Sequence, residues 1–159
     1  MKKTIYLMFI ILGLVAVLSA PTLTTAAGDS GTVAGAARAT FADGAALGSV
    51  ALSSLDLGAG VFIEPDGSST GVFTAVLTGR TLLGQAQQIT IDGQVLRGAL
   101  GPDGQAYFSG TATVNFGDGR PSLSAIPFSV SAGTNTVRLA FDSTMLPAAR
   151  VATGNIVIN

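Results

Sequence analysis

Few residues in this chain can do chemistry, and their types restrict what that chemistry could be. Among 159 residues there is no His and no Cys. Imidazole bases, imidazole and thiolate metal ligands, thiol nucleophiles and disulfides are therefore absent. Neither a Ser-His-Asp nor a Cys-His arrangement can be assembled. Carboxylates, amides and hydroxyls remain. Glu64 and Asp66 are close in sequence, and two carboxyls held about 5–9.5 Å apart can cleave a glycosidic bond. They flank Pro65, however, and Pro65-Asp66-Gly67 has turn chemistry, so a solvated turn accounts for both. Asn115, Asp118, Asp142, Ser143 and Thr144 offer oxygens for calcium, but no Asp-x-Asp-x-Asp-Gly spacing exists. Gln85, Gln87 and Gln88 could face a ligand and read more simply as the wet face of a strand. Gly58-Ala59-Gly60 precedes no helix and is not a phosphate loop. A serine nucleophile needs a base, and past the N-terminal segment only carboxylates are on offer. The expectation is a chain that is not an enzyme, with no catalytic, cofactor-binding or metal residues and no cofactor.

The elements that carry these residues read as all-β. From Leu47 onward, short runs rich in Val, Ile, Thr and Phe alternate with Gly, Pro, Asp and Asn. The clearest strand is Gln105 to Phe116. Ala106, Phe108, Gly110, Ala112, Val114 and Phe116 fall on one face, and polar residues fall on the other. Gly110 marks a bend or bulge. Val137, Leu139 and Phe141 alternate likewise, as do Ile156 and Ile158. Ile126, Phe128 and Val130 share a face, with Pro127 signalling an edge or bulge. Val50 and Leu52 change phase with Leu55 and Leu57 across Ser53-Ser54. Val72 to Leu77 is apolar on both faces and reads as a strand covered on both sides. Hairpin signals stand at Pro65-Asp66-Gly67, Asp92-Gly93, Pro102-Asp103-Gly104 and Gly117-Asp118-Gly119. The expected fold is an antiparallel meander of about eight to nine strands, curled into a small barrel or barrel-like sandwich. An immunoglobulin-like sandwich is the alternative, without the Cys-Trp-Cys core that marks many of them. A transmembrane barrel is disfavoured, because several strands are too short and aromatic girdles are lacking.

Composition adds a destination. Residues 1–27 read as a secretory signal peptide: Lys2 and Lys3, an apolar run from Ile5 to Ala20, the helix breaker Pro21, and Thr25-Ala26-Ala27 before a cut at Gly28. Residues 28–45 read as a flexible Gly/Ala/Thr-rich lead-in with one weak strand near Arg38 to Phe41. Residues 46–159 form the β domain. Removal of the signal takes both Lys, leaving 6 Arg against 9 acidic residues and a net charge of −3. That balance argues against a nucleic-acid partner and against a membrane partner after cleavage. The six Arg are spread along the chain, with no cluster to cradle phosphate. Mean hydropathy is +0.57, high for a soluble chain.

From residue 105 the order of strand words is Phe108-Ser109-Gly110-Thr111-Ala112, then Pro127-Phe128-Ser129-Val130-Ser131, then Thr136-Val137-Arg138-Leu139-Ala140-Phe141, closing with Gly154-Asn155-Ile156-Val157-Ile158. This order resembles the small secreted bacterial β domains of the post-COAP type, mainly over residues 105–158. The usual Asp-Asn-Gly-rich loop is replaced here by Ser131-Ala132-Gly133-Thr134-Asn135. The resemblance implies an exported accessory β domain and no catalytic activity.

Three functional classes follow. The favoured one is an exported, non-catalytic structural or protein-interaction module, periplasmic or secreted, with an unknown protein partner or itself as partner. The alternative is a lipocalin-like carrier whose barrel interior takes a small apolar ligand. Small inward residues would favour the carrier, and large inward residues the module. An enzyme is third. Edge strands without Lys gatekeepers could also pair between chains.

Overall fold

The computed structural model describes residues 28–101 and 104–159, and the expected signal peptide lies outside them. Among the described residues all regular structure is β. The strands are β1 (Gly31–Thr40), β2 (Ala46–Leu47), β3 (Val50–Ile63), β4 (Ser68–Thr81), β5 (Ala86–Leu100), β6 (Ala106–Asn115), β7 (Leu123–Ala132), β8 (Thr136–Phe141), β9 (Thr144–Met145) and β10 (Ala149–Ile158).

Strands β3 to β8 form an antiparallel meander, each paired to the next. β1 then pairs with both β3 and β10, which joins the two ends of the meander into a barrel-like ring of eight strands. All ten strands belong to one sheet. The immunoglobulin-like alternative, which requires two facing sheets, is therefore not adopted.

Closure is asymmetric. The run from β9 into β10 is interrupted around Pro147, which has no N–H to give to a ladder. Its lower part meets β8, through Leu146 N to Leu139 O at 3.0 Å and the pairs Ala149–Val137 and Arg150–Thr136. Its upper part meets β1, from Arg150–Thr40 to Ile158–Val33. Above Arg150, β10 therefore has a ladder on one side only. That stretch holds a register shift opposite Arg38/Ala39 and the left-handed Gly154 (φ 85°), features that blunt an edge against further pairing. Closing the ring covers most edges and leaves one open, along β10 beyond Arg150.

The interior mixes Phe, Leu and Ile with smaller Val and Ala. Inward residues of each strand alternate with outward ones, as a pleated strand facing one core requires. Phe73 on β4 is fully buried. Its ring stacks on Phe128 at 5.3 Å and 16°, and meets Phe108 edge-on at 5.7 Å and 62°. Leu55, Ile63, Leu77, Ile89, Ile91, Leu139 and Leu146 are the other largest fully buried side chains, and Ala37, Ala75, Ala112 and Ala149 are among the small buried ones.

Most expected strands lie where the alternation placed them. On β6, Ala106, Phe108, Ala112 and Val114 are buried between exposed Tyr107, Thr111 and Thr113. The phase change at Ser53-Ser54 is a register shift between Leu52 and Ser54. Gly110 permits a close approach: a Cβ there would sit 1.8 Å from Gln94 O, beside the shift that sets Leu96 outside the β5–β6 ladder.

Three expectations are corrected. Asp92-Gly93 is not a turn but the middle of β5. Gly93 is small because Phe128 lies on it: a Cβ would come 2.7 Å from Phe128 Cε1. The β4–β5 turn instead runs through Leu82, Leu83 and Gly84, closed by Gly84 N to Thr81 O and Thr81 N to Gln85 O, both 2.9 Å. Residues 28–45 are not merely a flexible lead-in, since Gly31–Thr40 is the strand that closes the ring. Finally, Val72 to Leu77 is covered on one face only: Phe73, Ala75 and Leu77 are buried, and Val72 is exposed.

Candidate functional site

The residues singled out for chemistry are mostly spent on turns. At the β3–β4 turn, the Asp66 carboxylate accepts from Ser68 N at 2.8 Å and Ser68 Oγ at 2.6 Å. The Ser68 hydroxyl bond, with the backbone bond second, holds the Asp66 pKa below its ordinary value. Asn115 Oδ1 accepts from Gly117 N at 2.8 Å. Asp118 accepts from Arg120 Nε at 2.7 Å and Arg120 N at 3.1 Å, and the Arg120 side chain lowers its pKa. Asp142 takes a left-handed turn conformation (φ 52°), with Ser143 Oγ at 3.4 Å from its carboxylate. Among the described residues no three acidic groups converge to hold a metal ion. Gln87, half-buried, donates from Nε2 to Phe116 O, while Gln85 and Gln88 are exposed. Gly58-Ala59-Gly60 lies inside β3.

The surface holds three features that the linear sequence did not bring together. The first is an open cleft of about 490 Å³ on the outer wall of β5 to β9. Cross-strand register builds it. Arg97, Ser109, Ser129 and Ala140 fall in one row, and Ala99, Tyr107, Ser131 and Arg138 fall in the next. Arg97 and Arg138, 41 positions apart in the chain, thus border one cleft with serines between them. They stand three strands apart, roughly 14 Å at the usual strand spacing. Among the described residues neither makes an ion pair. Arg38, by contrast, clasps Asp56 through Nε at 2.6 Å and Nη2 at 2.8 Å. That hydrogen bond lowers the Asp56 pKa.

The second feature is a neighbouring cleft of about 450 Å³ where β3, β4 and β5 meet the chain at Gly28. Its apolar lining includes Ile63, Pro65, Ala99 and Leu100, and Asp29, Glu64 and Asp66 give it acidity. Gly28 N donates to Pro65 O at 2.9 Å and pins the chain there. Beneath the Gly98 wall lies Ser69, whose buried hydroxyl has no hydrogen-bond partner among the described residues.

The third is the β4–β5 tip. Leu82 and Leu83 are each 87% exposed, the most exposed large apolar residues described. Arg80 Nη1 donates to Gly84 O at 3.0 Å and braces the turn beneath them. The missed signal was the Thr-Leu-Leu-Gly run. Two adjacent leucines look like strand interior until Gly84, with φ 78°, is recognised as the turn residue.

No family model matches the chain, and no curated protein or solved structure matches it either.

Proposed function

We propose that this chain is an exported, non-catalytic β domain that works as a structural or protein-interaction module and binds through its outer surface. The filled interior carries this reading. Phe73, Phe108 and Phe128 pack on one another in the buried interior, where a carrier would hold its ligand. The buried apolar set is otherwise mixed, with eight Ala and six Val beside the Phe, Leu and Ile, so the reading rests on the three-Phe cluster and not on a uniformly large interior. Chemistry available to a partner lies outside instead, at the two clefts and the leucine tip. The absence of His and Cys from the sequence supports the non-catalytic part. The charged n-region and small-residue cut site of residues 1–27 support export to the periplasm or medium, and the likeness of residues 105–158 to post-COAP domains agrees with an accessory role.

Native mass spectrometry of the protein recovered after export tests the reading. The expected species is a polypeptide beginning at Gly28, alone or with protein partners. A stoichiometric small molecule that leaves on denaturation overturns it in favour of a carrier.

A further inference from the structure

The interaction reading leaves its partner open, and two features at opposite ends of β4 bear on that partner. At one end is the convex β4–β5 tip, with Leu82 and Leu83 each 87% exposed. A convex apolar tip gains most from a concave apolar site, because only a concave site can take water off several of its sides at once. At the other end, 14 residues of strand away, is the cleft at the β3–β4 turn, with Pro65 and Leu100 in its wall. At ordinary strand rise the two lie roughly 40 Å apart along β4.

Their charges are opposite. From Gly67 to Ile91 the chain carries no carboxylate, and its one charge is Arg80 beside the tip. The cleft instead gathers Asp29, Glu64 and Asp66. Asp66 is kept ionised by its bonds from Ser68, and among the described residues none of the three makes an ion pair. A free amine at Gly28 after cleavage would still leave the carboxylates in excess. The other cleft holds no carboxylate and is bordered by Arg97 and Arg138; Arg97 also stands opposite Ser68 beside the acidic cleft, where the three carboxylates outnumber it.

We propose that the occupant of the acidic cleft is a second copy of this chain, its Leu82–Leu83 tip seated against Pro65 and Leu100 with Arg80 facing Asp29 and Glu64. This rests on the interaction-module reading and names the partner. The two surfaces differ and sit at opposite ends, so the contact is head-to-tail and does not close on itself after two copies. The patch is far smaller than the roughly 1,000 Å² of a stable interface. Association is therefore weak, concentration-dependent and sensitive to salt.

Sedimentation velocity of the exported protein that begins at Gly28, from micromolar to millimolar concentration, tests this. At low salt the wild type is expected to show sizes that keep growing past the dimer, and high salt is expected to reverse the growth. Leu82→Ser/Leu83→Ser, which loses the tip, and Asp29→Arg/Glu64→Arg, which loses the cleft, each weaken association at least about tenfold, the loss expected from one partly buried leucine. Mixed one to one, the first supplies a cleft and the second a tip, and the mixture stops at dimers. All these positions except Asp29, at the chain's entry to the fold, lie on turns, and unchanged circular dichroism checks that each variant folds. Should the cleft pair fail that check, Arg80→Glu alone replaces it, expected to weaken association and to be rescued when Glu64→Arg is added to the same chain.

A wild type that stays monomeric throughout overturns the proposal, as does a mixture that remains monomeric. So does tip-dependent binding to phosphatidylcholine vesicles in place of self-association, which would make lipid the occupant. A monomeric wild type or mixture leaves the module reading standing, since that reading fails on a bound small molecule in the mass spectrum, whereas lipid binding at the tip counts against a protein partner there as well.

Discussion

Replacing Phe73 by Ala tests the filled interior most directly. The Phe73 ring is fully buried and lies between Phe128, stacked at 5.3 Å, and Phe108, edge-on at 5.7 Å. Truncation removes the transfer free energy of the ring and leaves a hole that the ladders on both sides cannot collapse. Phe→Ala at such sites costs about 3–5 kcal/mol. For a domain of this size that lowers the thermal midpoint by about 10–20 °C. The walls of the hole are Phe108, Phe128 and other apolar groups, so it stays dry and can take up a small aromatic probe. The assay is a thermal melt with and without benzene. Wild type is expected to be indifferent to benzene, and Phe73→Ala to recover part of its lost midpoint. The reasoning fails if the variant loses less than about 1 kcal/mol, a surface-like value, or if wild type itself is stabilised by the probe. Either result means that the interior has room, and the carrier reading returns.

Other predictions follow from particular contacts. Gly93→Ala drives a Cβ to 2.7 Å from the Phe128 ring, itself stacked on Phe73, and should cost about 1–3 kcal/mol by overpacking. Gly60→Ala on β3, where a Cβ meets nothing within 4 Å, is the matched control and should be neutral or slightly stabilising in a urea melt. Ser69→Ala removes a buried hydroxyl with no partner among the described residues, so stability should hold or rise; a clear loss would mean that the hydroxyl is satisfied. The Asp56 pKa lies below its ordinary 3.8 because Arg38 donates to it. Its contribution is therefore complete above that value and is lost as pH falls through the lower folded value. Asp56→Asn should flatten the acid limb of the midpoint-versus-pH curve slightly, as befits an exposed pair.

What could be read from the chain was what depends on near neighbours. Alternation over Gln105–Phe116 named the buried face of β6, because a pleated strand turns successive side chains to opposite sides. Pro65-Asp66-Gly67 named its turn, because φ at Pro and Gly and the Asp66–Ser68 bonds are local. Missing His and Cys excluded whole chemistries without any structure. Local chemistry misled where a distant residue set the constraint. Gly93 follows Asp92 as a turn glycine would, yet it is small to admit Phe128, 35 positions on. Gly31–Thr40 lacks large apolar residues, yet pairing with both β3 and β10 makes it the strand that closes the ring. The surface features belong to tertiary structure altogether. Arg97 and Arg138 meet only through the register of the strands between them. The acidic cleft needs the chain at Asp29 to lie against the β3–β4 turn. Residue types decide which groups are on hand, but cross-strand register, set by the whole ring, decides which of them stand side by side.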